Sequence, residues 1–404
     1  MRILSFLLFI LLSGLAPSAA QTLKTDVLIY GNGSGAVAAA IQAARSGVKT
    51  TLLYDKISWS GKKILANHPT LFHGIWAEFA KNYADSTQNE KPNAKFFLIE
   101  PEKGDRILKQ MADTVKRLNL VQSTKISGLK AAGKGWEVRL ANGKKIKCEV
   151  LLDASSGHQL LRLLQISPPA GGGVRPDSKS QLFRTSVAVL DSVSILPIKT
   201  FIPEKTERIL ALPEVESALA SMHAGQAAGA TAAYCAFFDT NTKNLNIRTI
   251  QSELLTYRSS LYPLSDLLPG DTSFVKMQHL AVSGIFNSGF VQKSDGIYFQ
   301  TEESLGTSAL RVPMKSFYSR SQIWFADHAS EKLSIQEAIN LLMYTATRGE
   351  ELRREIERGW KSTFGFRSDY EAARAISRKE FAILLDTYLQ PFNARVDLEG
   401  ELLN

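Results

Sequence analysis

The stretch Asp26-Val27-Leu28-Ile29-Tyr30-Gly31-Asn32-Gly33-Ser34-Gly35-Ala36 constrains this chain more than any other. A short apolar run ends at Gly31, and an alanine-rich segment follows from Val37 to Ala44. This pattern predicts a buried β-strand, a tight turn and the start of a helix. Gly31 suits the sharp turn out of the strand. Gly33 has no Cβ, so a pyrophosphate can approach the backbone there. Ala36 takes the third small position, where helix and strand pack closely. A helix starting here aims its free N–H groups and positive dipole end at an anion. After Gly47 a second apolar run, Thr50 to Tyr54, ends at Asp55. An acid about 20 residues past the glycines can accept hydrogen bonds from a ribose hydroxyl. The whole βαβ unit points to a bound dinucleotide. The alternative is a glycine-rich turn in an α/β fold that binds nothing.

The chain has 404 residues, 44% hydrophobic and 22% charged. That balance is globular, and the length suggests two domains or slightly more. Residues 1–20 are expected to lie outside the fold. Arg2 supplies a positive start, Ile3 to Leu12 an apolar core, and Ser18-Ala19-Ala20 a small-residue cleavage site before Gln21. The apolar run is short for a membrane span. The expectation is an exported protein, periplasmic or secreted, with no transmembrane span after signal cleavage; an uncleaved anchor is the alternative. A chain threaded unfolded acquires its cofactor after translocation. That favours a tightly held group such as FAD over a diffusible nicotinamide.

Two cysteines are present, Cys148 and Cys235. Their positions on a predicted strand and a predicted helix favour packing as small apolar residues over a bridge. No His/Cys spacing suits a metal. The formal net charge of +9 is spread over scattered basic residues without interleaved aromatics. Solvated faces are the default reading, and nucleic acid is not indicated.

Further along, Glu100-Pro101-Glu102 opens a predicted helix through Ile107, Met111, Val115 and Leu118. Val121 to Leu129 reads as one strand. Trp136 to Leu140, Asn142-Gly143 and Ile146 to Leu152 read as a hairpin. Pro213 to Ala220 reads as a helix, followed by a small-residue helix over Met222 to Ala233. Beyond about residue 245, helical and charge-rich segments dominate, among them Leu333 to Tyr344, Gly349 to Trp360 and Arg378 to Tyr388. This shift places a domain boundary between about 245 and 270.

Three segments together resemble the bacterial FAD-dependent oxidoreductases with a glutathione-reductase-like flavin domain. The first is the Gly31 to Ala36 unit with Asp55. The second is the hairpin ending in Leu151-Leu152-Asp153-Ala154-Ser155-Ser156-Gly157. The third is Ala224-Gly225-Gln226-Ala227-Ala228-Gly229, which resembles a helix start in one branch of the family. Their order and spacing cover roughly residues 25–250. The resemblance implies an α/β fold: a Rossmann-like FAD-binding domain with a parallel sheet plus a β-hairpin or meander, over residues 21–250. A mainly helical C-terminal domain follows over 265–404. It further implies FAD in an extended pose, with its pyrophosphate at Gly31, Gly33, Ser34, Gly35 and Ala36 and its ribose at Asp55. Backbone near Lys125 and Ile126 would frame the adenine. The turn from Ala154 to Gly157 would pass near the pyrophosphate. A helix beginning at Gly225 and Gln226 would point toward the flavin. The sequence departs from the family at Ser60-Gly61-Lys62, where relatives carry paired glycines. It departs again at Asp-Ala-Ser-Ser-Gly, where Asp-Ala-Thr-Gly is usual. The cofactor frame therefore survives better than the substrate site.

The tail resembles S-layer-homology repeats in Met277 to Phe286, Gly296 to Phe299, Trp324 to Asp327, Leu333 to Ala338 and Ile376 to Ala382. Ser377 followed by Glu380 is a capping box. Such repeats imply an envelope polysaccharide as partner, or docking onto the flavin domain; an ordinary helical tail is the alternative. For proton transfer the sequence offers His68, His73, His158 and His223, with His73 and His223 the better candidates. The expected function is an exported FAD-dependent oxidoreductase of unread substrate. The alternative is a non-catalytic flavin-fold protein acting as an envelope binding or structural module.

Overall fold

The computed structural model describes residues 22–59, 69–86, 99–123, 125–176, 180–204, 206–286 and 290–403. The expected signal segment 1–20, the Ser60-Gly61-Lys62 departure and His68 lie outside the described residues.

The chain opens with strand β1 (Thr22–Tyr30), helix α1 (Ser34–Arg45) and strand β2 (Thr50–Tyr54). Helices α2 (Gly74–Asp85) and α3 (Pro101–Asp113) lead to strand β3 (Leu118–Gln122). A meander follows: β4 (Ile126–Ala132), β5 (Gly135–Leu140) and β6 (Lys145–Asp153). The short helix α4 (Gln159–Leu163) and the strands β7 (Ser186–Val189), β8 (Ile195–Pro197) and β9 (Ile209–Ala211) precede the long helix α5 (Ala218–Phe237). Among the described residues the main sheet has seven strands, in the order β3-β2-β1-β6-β5-β4, with β9 also on β6. Strands β3, β2, β1, β6 and β9 run parallel, whereas β6, β5 and β4 pair antiparallel.

Both faces of the parallel strands are covered, which is why β1 reads as a continuous apolar run rather than an alternating one. Val27 and Ile29 join the large core with Leu52, Val150 and Leu152. Leu28, between them, joins a second core with Leu53, Leu151, Ile209 and Ala211. The hairpin over Asn142-Gly143 forms as the sequence predicts, with Gly143 at φ 82°. Three boundaries differ. The helix expected to run through Val115 and Leu118 ends at Asp113, and Leu118 opens β3 on the edge of the sheet, paired with Thr50. The stretch expected as one strand over 121–129 is two, because the chain leaves β3 after Gln122 and re-enters the sheet at Ile126 on the other edge. Helix α5 begins at Ala218, capped by Ser217, and runs unbroken through Met222. Residues 213–217, expected as helix, are not helical: Pro213 lacks the N–H of a helix interior, and the Ser217 side chain starts the helix by accepting from Ala220 N–H.

The tail begins with helix α6 (Ile247–Thr256) and helix α7 (Phe274–Ser283), followed by the small hairpin β10 (Val291–Gln292) and β11 (Ile297–Tyr298). Helices α8 (Thr307–Phe317), α9 (Ser321–Asp327), α10 (Ile335–Ala346), α11 (Glu350–Gly359) and α12 (Arg378–Tyr388) complete it. The sequence places α10, α11 and α12 to within about two residues. Complete capping boxes start α10 (Ser334 with Glu337) and α12 (Ser377 with Glu380). The large core is continuous from Val27 to Val396, so sheet and tail are packed as one body. Two buried arginines clasp them. Arg184 donates to the carbonyls of Ser283 and Gly400, and Arg248 to those of Ala394 and Arg184. Burial, reinforced by the neighbouring Arg184 charge, pushes the Arg248 guanidinium down to about 9.

Helices α1 and α5 touch with almost no side chain between them. A methyl group on Gly225 would overlap the Gly35 carbonyl, and one on Gly229 the Ala39 carbonyl. The paired positions advance by four on both helices, so the two run in the same direction along one small-residue seam. Gly225→Val is therefore expected to force the helices apart and destabilise the protein by roughly 3 kcal/mol or more. Urea denaturation of the two proteins checks this, and an unchanged midpoint would contradict the seam.

Candidate functional site

The glycine turn leaves β1 at the centre of the sheet. Gly31 N–H donates to Leu53 O, and Ala154 N–H to Tyr30 O, so the turn sits between the ends of β2 and β6. A methyl group on Gly31 would overlap the Ala154 carbonyl, which is the physical reason for glycine at this position. Asn32 ties the turn sideways. Its Oδ1 accepts Asp55 N–H at 2.9 Å and its carbonyl accepts Ser58 N–H.

Helix α1 begins with Gly33 as N-cap, in extended backbone, and no side chain caps it. Its first-turn N–H groups thus face the turn without a protein acceptor from the cap. A cleft of about 460 Å3 opens here, lined by Gly31, Asn32, Gly33, Gly35, Ala36 and Ala154, with the segment Leu212–Val215 across it. Tyr30 and Gln159 line this cleft and also a second groove of about 510 Å3 beside Lys125, Ile126 and Arg162. Together they make one channel along the ends of the parallel strands, where open α/β sheets bind ligands. Tyr30 Oη donates to Gln159 Oε1 between the two halves. Burial first, then the carboxylates of Asp153 and Asp55, raise the Tyr30 hydroxyl above its usual range. The Asp55 charge is thus felt at the channel, and its side chain is exposed at the end of β2.

The turn after β6 is held from inside. Asp153 is wholly buried and accepts four hydrogen bonds, from Ser155 N–H and Oγ and from the N–H groups of Leu160 and Leu161. It caps α4 and shapes the turn; it does not face the channel. Ser155 Oγ accepts Gln159 N–H in turn. Gly157 follows at φ 66°, a left-handed conformation that favours glycine.

The sequence-predicted residues fall into three places. Gly31, Gly33, Gly35, Ala36 and Ala154 line the cleft and Ile126 lines the adjoining groove; Asp55 and Gly157 line neither, but each bonds through its N–H to a cleft residue, Asn32 and Glu214. Ser34 is buried, with a hydroxyl that has no partner among the described residues. Gly225 and Gln226 lie elsewhere. The helix they were expected to begin starts two turns earlier, and both are fully inside it. Gln226 instead accepts Ile75 N–H and donates to Gln42, joining three helices. Sequence reasoning missed Tyr30, Asn32, Gln159, Arg162 and the Leu212–Val215 strap. Tyr30 and Asn32 lie inside the motif that was read. The strap follows Ile209-Leu210-Ala211, a short apolar run ending at a proline, which is a strand-exit signal.

His73 and His223 are brought together, but in the interior. Their rings stack with centroids 3.8 Å apart, and neither lines the channel. His223 Nδ1 donates to Val189 O, and His73 Nδ1 accepts Ser260 N–H, so both rings are neutral with opposite tautomers. Burial pushes both down, His223 to about 4, and the His223 ring adds to the effect on His73. The two candidates for proton transfer thus stack in the core, away from the residues that line the channel. Folded pKa values below the unfolded 6.5 mean that the unfolded chain binds more protons beneath that pH. Stability therefore falls as pH drops from 6.5 toward 4, by up to about 1.4 kcal/mol per pH unit for each ring. His223→Phe is expected to flatten this loss, read from urea melts at pH 7 and pH 5; parallel slopes would contradict it.

Residues 26–171 match the family model described as FAD dependent oxidoreductase. No curated protein matches the chain. Among solved structures, OxyS anhydrotetracycline hydroxylase from Streptomyces rimosus is similar over 38% of this chain and 35% of that one, at 16% identity and TM-score 0.30. Thioredoxin reductase from T. acidophilum is similar over 38% and 37%, at 17% identity and TM-score 0.21. The probable FAD-dependent monooxygenase pqsL from Pseudomonas aeruginosa is similar over 64% and 96%, at 14% identity and TM-score 0.35. The chain spans little more than a third of the first two. At these TM-scores the likenesses carry no argument about activity. The uncapped helix end and the glycine cradle form a donor set that fits a diphosphate. The part of the chain that matches the FAD dependent oxidoreductase model, residues 26–171, contains the turn after β1, the N-terminus of α1 and the turn after β6 that line the cleft.

Proposed function

We propose that the protein is an exported FAD-dependent oxidoreductase. One observation carries the reading: the uncapped N-terminus of α1 opens on a cleft that continues, past Tyr30 and Gln159, to the groove at Ile126. The α1 N–H groups and dipole hold the diphosphate, and Asp55 accepts the ribose hydroxyls. Ile126 and Arg162 frame the adenine end. When bound, FAD supplies two-electron redox chemistry; the protein sets its position and surroundings. Export by residues 1–20 is supported by the charge, apolar core and small-residue site of that segment.

A second reading concerns the tail over residues 265–404. Two complete capping boxes begin α10 and α12, and the residues before them pair with one another at Ser334 and Ala375. This repeated geometry supports an S-layer-homology-like unit that binds envelope polysaccharide. Pelleting of the full-length protein with purified wall polysaccharide tests it; a protein that stays in the supernatant at saturating polysaccharide would sink the reading. Retained flavin without turnover against any electron donor or acceptor would favour the non-catalytic alternative.

The mature protein, reconstituted with FAD, is expected to elute with a visible flavin band. Asp55→Ala should weaken FAD binding about tenfold, the scale of one hydrogen bond to a charged group. Flavin fluorescence titration measures both. A wild type that retains no flavin at saturation would remove the oxidoreductase reading.

A further inference from the structure

The cleft that faces the α1 N-terminus also contains a carboxylate. Glu214 lies on the Leu212–Val215 strap, with an exposed side chain that lines the same cleft as Gly31 to Ala36. Its Oε1 accepts the Gly157 N–H at 2.8 Å. That N–H is fixed in direction, because Gly157 sits in a left-handed turn that Asp153 and Ser155 hold from below. The strap is fixed too, since Leu212 N–H donates to Asp153 O. Arg162 lies over the same turn, its Nη2 closest to the position of a methyl group on Gly157. A negative charge is therefore held across the cleft from the N–H groups suited to a diphosphate. A diphosphate and a carboxylate compete for that positive field and repel one another.

We propose that Glu214 gates dinucleotide binding: its carboxylate, anchored by the Gly157 N–H, lines the cleft that α1 faces, and an incoming diphosphate displaces it. The inference rests on the FAD reading of the cleft but is separable from it. Any ligand carrying the diphosphate meets the gate, whereas adenosine alone does not. The residue thus sets how strongly the site discriminates against anionic ligands, without touching a flavin.

The test uses the full mature chain without cofactor, titrated by calorimetry with ADP, adenosine and FAD. Glu214→Gln keeps the shape of the side chain and its acceptor oxygen while removing the charge. It is expected to tighten ADP and FAD about fivefold and to leave adenosine unchanged. Glu214→Lys should tighten ADP further. Raising the salt from about 0.05 M to about 0.5 M should shrink the difference between wild type and Glu214→Gln, because the charge is exposed and screened. Weaker ADP binding in Glu214→Gln would overturn the proposal and make the carboxylate a ligand for the dinucleotide. Equal tightening of adenosine would overturn it as well, since the change would then be one of cleft shape. ADP binding that follows the expected order while FAD binds neither protein would uphold the gate and remove the FAD reading. No ADP binding to any of the proteins would overturn both.

Discussion

The contact between α1 and α5 is the constraint on which the rest depends. At Gly35 with Gly225 and Ala39 with Gly229 the two backbones meet directly. Side chains of any size there would lift α1 off its neighbour. The N-terminus of α1 would then leave the line set by β1, and with it the cleft. Close approach removes apolar surface from water along the whole seam, and close packing makes it intolerant of one added methyl. The site is thus built on the ends of α1 and of the strands and on the short turns and the strap that these anchor. Gly31 against the Ala154 carbonyl repeats the logic one layer up, pinning the turn between β1 and β6.

Much of this was legible in the sequence, and the reason is local. The βαβ unit, the Asn-Gly hairpin and the last three long helices carry their own signals: apolar period, glycine at a turn, Ser-x-x-Glu at a helix start. What was misread depends on tertiary partners. Gly225 is expected near a helix start because Ala224 to Gly229 resembles one in a branch of the flavoenzymes, whereas its small residues mark a helix interior that meets another backbone. The period of four between Gly225 and Gly229 is the feature that distinguishes the two cases. Gln226 is placed by Gln42 and by Ile75 N–H, from segments far apart in the chain, and no local pattern announces that. His73 and His223 were singled out as chemically capable side chains. Capability is local, but access is not, and burial gives them to the core.

The tail illustrates the same division. Its helices were readable from capping boxes, but its attachment was not. Arg184 and Arg248 looked like ordinary basic residues of a positively charged chain. In the structure each is more than nine-tenths buried; Arg184 donates to the carbonyls of Ser283 and Gly400, and Arg248 to those of Ala394 and Arg184 and to Gln251 Oε1. A buried guanidinium without a carboxylate is costly unless its hydrogen bonds are satisfied. Carbonyls near chain positions 283, 394 and 400 do this only when the tail is in place. The tail and the sheet are therefore mutually dependent, and the composition shift near residue 245 marks a change of architecture rather than a break in the core.

Two aspartates near the channel show how position decides role. Asp153 and Asp55 both end parallel strands of the same sheet, one on either side of β1. Asp153 is inside, and its four hydrogen bonds are all consumed in shaping the turn that follows. Nothing is left of it for a ligand. Asp55 is outside, and among the described residues its hydrogen bonds are those of its backbone, to Asn32 and Gln122. Its carboxylate remains able to accept. The difference follows from what comes next in the chain. After Asp153 a helix begins within six residues, and its N–H groups need an acceptor. After Asp55 the chain returns to the core at Ile57 and Trp59, and among the described residues no helix start claims the acid. A strand-end carboxylate thus becomes scaffold or ligand according to whether a helix N-terminus lies close enough to use it.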